Sequence, residues 1–305
     1  MRDALAMPIV AGLTFLTLMQ LLGVVVAGRL VDRAGLAGAA AEPVVRGWLL
    51  RLPALLAWFL LMLALVRGAL QVLAFHDPGT PLDTELMRIV LTEGSWGTGW
   101  MLETAGAFVL LALSWLLAAR PAQQRTAITI LVIVIVLAEA GMGHGADALW
   151  TPAPLGRLVH ATHLLGAGVW LGTLLVMALA VFPALVATEA RAVLAGVLTG
   201  FSPWARLGAA LLVVSGGAAT WTYTGSLLEL PQVAWGQLLL AKLLVLLPIL
   251  GLGWYNWRVL TPRLVAGDVP AMRTLRRAAL VEVLLAVGVI AITAAMVHQA
   301  LPVDG

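Results

Sequence analysis

The sequence predicts an all-α, polytopic integral membrane protein with eight transmembrane helices, and three observations lead to this prediction. Hydrophobic residues make up 62% of the 305 residues and charged residues only 11%, whereas soluble domains carry about 25% charged residues. The apolar residues fall into eight runs, each near the ~20 residues that a helix needs to cross a bilayer. Arginines gather in the short segments between these runs, as topology signals do. Since unpaired backbone groups are costly in lipid, each run is expected to be a helix.

No soluble domain interrupts the runs, so we expect one membrane domain over residues 1–305, with four-helix halves at 1–150 and 151–305. The second connection, 76–98, is among the longest, and it holds a predicted short helix at 83–91 after a stretch rich in proline and glycine. The predicted membrane spans are 4–27, 49–75, 99–119, 127–142, 155–182, 203–221, 234–254 and 275–298.

The first run is expected to be a retained helix and not a cleaved signal peptide. It is longer than the apolar core of a signal peptide, and arginines follow it. The ending Val25-Val26-Ala27 would permit cleavage, but cleavage would leave an arginine-rich connection on the outer side.

Basic residues are concentrated in the odd-numbered connections, and acidic residues in the even-numbered ones. Under the positive-inside rule the odd connections are cytoplasmic, and the N-terminus and C-terminus are both periplasmic. The net charge of +3 is therefore attributed to topology, and we expect no nucleic-acid partner. The basic residues are Arg29, Arg33, Arg46, Arg51, Arg120, Arg125, Arg191, Arg206, Arg258, Arg263, Arg273, Arg276 and Arg277.

The chain has no cysteine, which excludes disulfides, thiolate metal sites and a cysteine nucleophile. Any soft metal would therefore be held by methionine, histidine or carboxylate side chains. The sequence also contains no ATP-binding loop and no soluble catalytic domain. We therefore expect neither an ATP-driven pump nor an enzyme.

The fifth run is the one around which we expect the other helices to gather. It is apolar, yet it carries His160 and His163, which lie three residues apart and so share a helix face. Gly168 and Gly172 form a pair of small residues that lets a neighbouring backbone approach closely. Ionisable groups at membrane depth are costly and usually mark a pathway or a ligand site.

Other candidate metal ligands lie near the same membrane depth, in the outer third of the predicted bilayer. They end the fourth and eighth runs, and the predicted topology brings both ends to the outer face. Imidazole suits copper, zinc, iron and nickel, and thioether ligands favour Cu(I). Although a single histidine is more often a core residue, the group predicts a metal site. The candidate ligands are His144, His163, His298, His160, Met142, Glu139 and Met296.

We assign structural or gating roles to four further charged residues, Arg67, Glu103, Lys242 and Glu282. Arg67 needs a partner at membrane depth, and the sequence predicts a buried ion pair with Glu103 or Glu139. Lys242 is expected to extend toward the outer headgroups. Glu282 stands alone near the predicted inner face.

The order of several short segments resembles the copper resistance protein D (CopD) family of bacterial inner-membrane proteins. Gly143-His144-Gly145-Ala146, followed by the stretch from His163 to Gly172, is similar to a histidine-containing pattern of that family. Residues 92–100 and the segments around Lys242 and Arg258 are similar to later family features, and the resemblance covers most of 85–300. The chain departs from the pattern at His160, which is often acidic in the family, and at Thr173.

The resemblance implies a copper ligand, Cu(I) or Cu(II), in a multi-pass protein of the bacterial cell inner membrane. It further implies uptake or relay of copper from the periplasm, with a periplasmic copper-binding protein as partner. Two other hypotheses remain open. One is a redox protein with haem b held by two histidines, such as His163 and His298. The other is an assembly or sensor protein that transports nothing, in which the polar layer is only structural.

Overall fold

The computed structural model describes residues 3–77, 79–142, 153–224, 228, 230–297 and 299, and the regular structure in this part of the chain is helical. Eight spans are long and apolar enough to cross a membrane, which confirms the eight predicted helices. We number the helices in chain order: α1 (Asp3–Arg33), α2 (Glu42–Phe75), α3 (Thr84–Thr92), α4 (Gly94–Leu116), α5 (Pro121–Met142), α6 (Ala153–Ala167), α7 (Thr173–Val176), α8 (Phe182–Ala187), α9 (Arg191–Tyr223), α10 (Ala234–Tyr255), α11 (Thr261–Val265) and α12 (Val269–Met296).

Helices α6, α7 and α8 form one continuous crossing, which we call the fifth span (Pro154–Ala187). Helices α10 and α11 likewise form the seventh span (Ala234–Val265). Both crossings contain π-helical turns, at Gly168–Gly172 and Met177–Val181 in the fifth span and at Asn256–Leu260 in the seventh. Such turns are rare, and they often occur at functional sites because they change which side chains face a cavity.

Several helices are longer than hydropathy predicts. Helix α9 begins at Arg191 and not near residue 203, and α12 begins at Val269 and not near residue 275. The hydropathy pattern reports only the apolar part of a helix, whereas a helix continues past the hydrocarbon wherever polar residues tolerate it. The predicted spans thus cover only the apolar part of these two helices, and the connections there are shorter than the distance between spans.

The short helix predicted in the second connection is confirmed as α3. The Asp83 side chain caps it by accepting a hydrogen bond from the Glu85 backbone at 3.0 Å. Arg88 forms exposed ion pairs with Glu85 and Glu93. The hydrogen bond from Arg88 lowers the pKa of the Glu85 carboxyl, which therefore stays ionised at neutral pH.

Four of the connections, 34–41, 117–120, 188–190 and 266–268, lie at one end of the bundle, because the spans alternate in direction. We call this the arginine end, and the opposite end the histidine end. At the arginine end Asp32 pairs with Arg46 at 3.2 Å and with Arg125 at 2.9 Å. These pairs join α1 to α2 and α5.

The centre of the bundle is made by α1 together with the fifth span. In the most apolar stretch of each span, 78% of the residues are buried in the first span and 72% in the fifth. In the seventh span the corresponding share is only 6%. The fifth span is thus central, as predicted, and α1 shares that position. Sequence reasoning missed the role of α1 because its run is uniformly apolar.

Glycines set the close approach of α1 to the fifth span. A Cβ atom added at Gly172 would overlap the backbone carbonyl of Met19, and one added at Gly23 would overlap that of Gly172. A Cβ at Gly168 would meet the Leu22 side chain. The predicted role of Gly168 and Gly172 is confirmed, and α1 is the neighbour that they admit.

A second glycine contact joins the fifth span to α9. Gly166 and Gly208 face each other's carbonyl oxygens, and a Cβ at Gly208 would also press on Trp170. The fifth span therefore lies between α1 and α9. Helix α10, by contrast, packs mainly against α12 and the 3₁₀ turn Leu230–Gln232. A gap consequently remains between α9 and α10, and the cavities described below lie in it.

Candidate functional site

A cavity of about 490 Å³ lies toward the histidine end, enclosed by α1, the fifth span, α9, α10 and α12. We call it the histidine cavity, because His160 and His163 both line it. Lys242, Met19 and Trp170 also line it, and most of the remaining wall is aliphatic or aromatic. An apolar cavity with a few converging polar groups is the usual form of a ligand site.

His163 is held in one orientation by α9. Its Nδ1 lies 3.0 Å from the Ser215 hydroxyl oxygen, and that hydroxyl donates its proton to the Leu211 carbonyl at 2.5 Å. Since the hydroxyl has only one proton, its oxygen accepts a hydrogen bond from Nδ1–H. The lone pair of the imidazole is then on Nε2. Ligating histidines usually donate their other ring N–H in this way.

The space for the His163 ring comes from a glycine on the facing helix. A Cβ added at Gly216 would lie 3.3 Å from His163 Cε1, which is tighter than most contacts in proteins. His160, one turn earlier, packs edge-on against Phe15 of α1, with ring centroids 6.4 Å apart. The two imidazoles therefore reach the same cavity from one helix. Helix α1 contacts His160, and α9 contacts His163.

Met19 adds a thioether to the cavity wall, and sequence reasoning missed it. It lies one helical turn after Phe15 in an apolar run, where a methionine resembles any other core residue. Ser215 was missed for a similar reason, since a serine in a helix usually bonds to its own backbone. Only the packing of α1 and α9 on the fifth span reveals either residue.

Lys242 lines the histidine cavity, although the sequence favours a position nearer the headgroups. It shares this cavity with His160 and His163. Among the described residues no acidic side chain forms an ion pair with it. The cavity therefore holds two imidazoles and an amine, and none of the residues that line it is an acid.

The other predicted ligands lie elsewhere. Met142 packs against Gly99 of α4, Met296 packs on the apolar cluster of Leu230, Trp235 and Leu239, and Glu139 pairs with Arg67. None of the three lines the histidine cavity. His144 and His298 lie outside the described residues. Within the described chain, no group of three or more histidine or acidic side chains is placed to hold a metal.

The predicted ion pair of Arg67 is confirmed, and it includes both candidate partners. Arg67 lies 2.6 Å from Glu139 and 3.3 Å from Glu103, so α2, α4 and α5 meet at one buried charge cluster. Glu103 is fully buried, and its Oε1 has no hydrogen-bond partner. Helix α5, which carries Glu139, packs against α6, which carries His160, so this cluster lies in helices next to the histidine cavity.

Glu282 is not isolated, in contrast to its appearance in the sequence. Its carboxylate accepts a hydrogen bond of 2.7 Å from the Asn256 amide. Both residues line a second cavity, of about 230 Å³, nearer the arginine end. We call it the glutamate cavity, and Met177, Ser202 and Arg206 also line it.

Comparison with known protein families finds two matches, which are separated by residues 152–194. Residues 1–151 match the family described as copper resistance protein D-like, N-terminal domain. Residues 195–296 match the family described as copper resistance protein D. No curated protein and no solved structure shows significant similarity to the chain.

Proposed function

Since this chain belongs to the copper resistance protein D family, a family of membrane proteins involved in copper resistance, we propose that it binds copper in the histidine cavity. From there the ion would be taken up or relayed across the bilayer. The observation that carries this proposal is the orientation of His163, whose Nδ1 is engaged by Ser215 and whose Nε2 is thus available to a ligand. His160, on the same helix face, supplies a second imidazole.

The cavity wall favours Cu(I) as the bound form. Met19 offers a thioether in the same cavity, and imidazole with thioether is a ligand set that suits Cu(I). The rest of the wall is largely apolar, and a monovalent ion is less costly than a divalent one to hold in such surroundings. His160, His163 and Met19 are therefore the proposed ligands within the described residues.

The remaining candidates fit an earlier step on the same route. His144 and His298 follow the ends of α5 and α12 in sequence, beside Met142 and Met296. We propose that these residues, with Glu139, receive copper at the histidine end from a periplasmic copper-binding protein. This proposal places the histidine end at the periplasmic face of a bacterial inner membrane, with the arginine end in the cytoplasm, in keeping with the positive-inside rule.

The haem alternative is less well supported by the described residues. His160 and His163 lie three residues apart on one helix, so they approach a ligand from the same side. Axial ligation by two histidines requires imidazoles on opposite faces of the haem. The second hypothesis therefore depends on His298, and an absorption spectrum of the purified protein distinguishes it directly.

The test measures Cu(I) binding to the full-length protein in detergent, by competition with a chromogenic chelator. We expect His163→Ala to weaken binding at least about tenfold, because one well-oriented ligand is lost, and His160→Ala to weaken it as well. The matched control is His76→Ala, since His76 ends α2 and does not line the cavity. Equal affinity of His163→Ala and the parent would overturn the proposal, and a Soret band in the purified parent would favour haem.

A further inference from the structure

The histidine cavity and the glutamate cavity are adjacent. Trp170, Ala209 and Leu250 line both of them, so these three side chains form a common wall. Trp170 lies in the π-helical turn Gly168–Gly172 of the fifth span, and it is 6% exposed. The two cavities therefore follow one another along the bundle, and one layer of side chains separates them.

The glutamate cavity contains oxygen and sulfur atoms suited to a cation. Glu282 is 3% exposed and accepts its hydrogen bond from a neutral amide, so that bond does not compensate its charge. The Oδ1 atom of Asn256 is buried and has no hydrogen-bond partner. Met177 contributes a thioether, and the Ser202 hydroxyl donates to Leu198, which leaves its lone pairs free.

Within the described chain, no basic side chain neutralises the Glu282 carboxylate. Arg206 lines the same cavity, but its guanidinium stacks over the Trp257 ring at 5.1 Å from the centroid. No arginine or lysine within the described ranges lies at ion-pair distance from Glu282. A buried carboxylate at membrane depth without a basic partner is expected to hold a proton or a bound cation.

We propose that Glu282 and Asn256 form a second cation site, which receives the copper ion from the histidine cavity once Trp170 moves aside. This inference rests on the proposed function, because the ion must first bind at His160 and His163. A carboxylate, an amide oxygen and a single thioether hold Cu(I) less tightly than imidazoles with a thioether do. A weaker second site suits a route, since an ion must be able to leave each site that it enters.

Three residues on the proposed path of the ion between the cavities lie in π-helical turns. Trp170, Met177 and Asn256 each lie in one of the three turns, at Gly168–Gly172, Met177–Val181 and Asn256–Leu260. In the last turn, the Thr261 hydroxyl donates to the Asn256 carbonyl at 2.9 Å, five residues back. Residues of these turns thus line the cavities. Irregular backbone at membrane depth is tolerated where it is buried in protein or lines a cavity.

The experiment uses the full chain reconstituted in lipid vesicles that contain a Cu(I)-sensing chelator. We expect Glu282→Gln to slow copper uptake by about tenfold or more, because the ion loses its carboxylate on the route. The Cu(I) affinity of the histidine cavity, measured on the same preparation, should stay as in the parent. Glutamine can still accept the bond from Asn256, so the fold should be kept, and Glu282→Asp should restore part of the uptake.

Two further variants complete the test. Asn256→Leu removes the amide at similar volume and should also slow uptake while binding is retained. Glu85→Gln, at the exposed helix α3, is the matched control and should change neither quantity. Parental uptake by both Glu282→Gln and Asn256→Leu would overturn the inference, as would a parent protein that binds copper and transports none. By contrast, parental binding by His163→Ala would contradict the proposed function itself.

Discussion

At the scale of single residues, the Ser215 hydroxyl determines which nitrogen of His163 carries the lone pair that a ligand could use. Its proton is given to Leu211, so it accepts a hydrogen bond from Nδ1–H, and the lone pair of the imidazole is then on Nε2. Neither the serine nor the histidine predicts this alone, because a serine in a helix ordinarily bonds only to its own backbone. The function of Ser215 follows from the packing of α9 against the fifth span.

We expect Ser215→Ala to weaken Cu(I) binding by about 10-fold to 100-fold, the range found when an outer partner of a ligating histidine is removed. The reason is that His163 loses the acceptor that fixes its tautomer and ring orientation. Chelator competition measures the change. Thr199→Ala is the matched control, since Thr199 makes the same kind of backbone hydrogen bond on α9 away from the cavity. An equal loss in both variants would contradict the argument.

Lys242 places a positive charge beside the proposed copper site. At an effective dielectric constant of about 20, a like charge roughly 8 Å from a bound ion costs on the order of 2 kcal/mol of binding free energy. We therefore expect Lys242→Met to bind Cu(I) about tenfold more tightly or better, and Lys242→Arg to bind it as the parent does. Titration with a Cu(I) chelator checks both. Weaker binding by Lys242→Met would show that the amine supports the site and does not oppose the ion.

At the scale of helices, glycines decide which neighbours the fifth span has. Gly168 and Gly172 admit α1, and Gly166 admits α9 through Gly208. The sequence indicated a close approach at Gly168 and Gly172, since small residues four apart are typical of helix contacts in membranes. It did not indicate the partner, because every other apolar run was an equally suitable neighbour.

Gly172→Ala should destabilise the protein, since the added methyl group would overlap the Met19 carbonyl and overpacking of this kind costs about 1–3 kcal/mol. Gly251→Ala is the matched control, because nothing lies within 4 Å of a Cβ atom built there. We expect that control to be neutral or slightly stabilising, as alanine is the better helix former. Thermal unfolding in detergent gives both values, and equal stability of the two variants would refute the packing argument.

At the scale of the whole molecule, the buried charge cluster and the two cavities lie among different sets of helices. The first half is joined by the buried charges of Arg67, Glu103 and Glu139, which connect α2, α4 and α5. Among the described residues, all three π-helical turns lie in the second half. The second half also supplies most of the lining of both cavities, and Phe15 and Met19 of α1 complete the wall of the histidine cavity. The charge cluster thus ties three helices of the first half together, whereas the second half, with α1, presents the polar groups to the cavities.

Arg67→Ala should cost about 3–5 kcal/mol, because it leaves two buried carboxylates without their partner. Arg88→Ala is the comparison, since Arg88 also pairs with two glutamates but is exposed, and exposed pairs contribute at most about 1 kcal/mol. Unfolding in detergent measures the difference. If both variants lost the same stability, the buried cluster would not be a structural element of the bundle.

The number of spans, the centrality of the fifth and the pairing of Arg67 were predictable, because hydropathy and the cost of buried charge act locally along the chain. The contents of the two cavities were not. Met19 and Asn256 are ordinary residues in their own helices, and they acquire a role only where other helices meet them. Glu282 was recognised as unusual from the sequence, but its hydrogen bond to Asn256 joins residues 26 positions apart.

The attachment of α10 mainly to α12 has a consequence for the surroundings of the protein. Only 6% of the most apolar stretch of the seventh span is buried inside the protein, so we expect the acyl chains of the membrane to cover most of that span. Since α10 carries Lys242 into the cavity, we expect bilayer thickness and fluidity to act on the position of α10 and hence on the distance between Lys242 and the two imidazoles. A thinner or more fluid membrane should thereby alter how firmly the metal is retained, with no change in the amino-acid sequence.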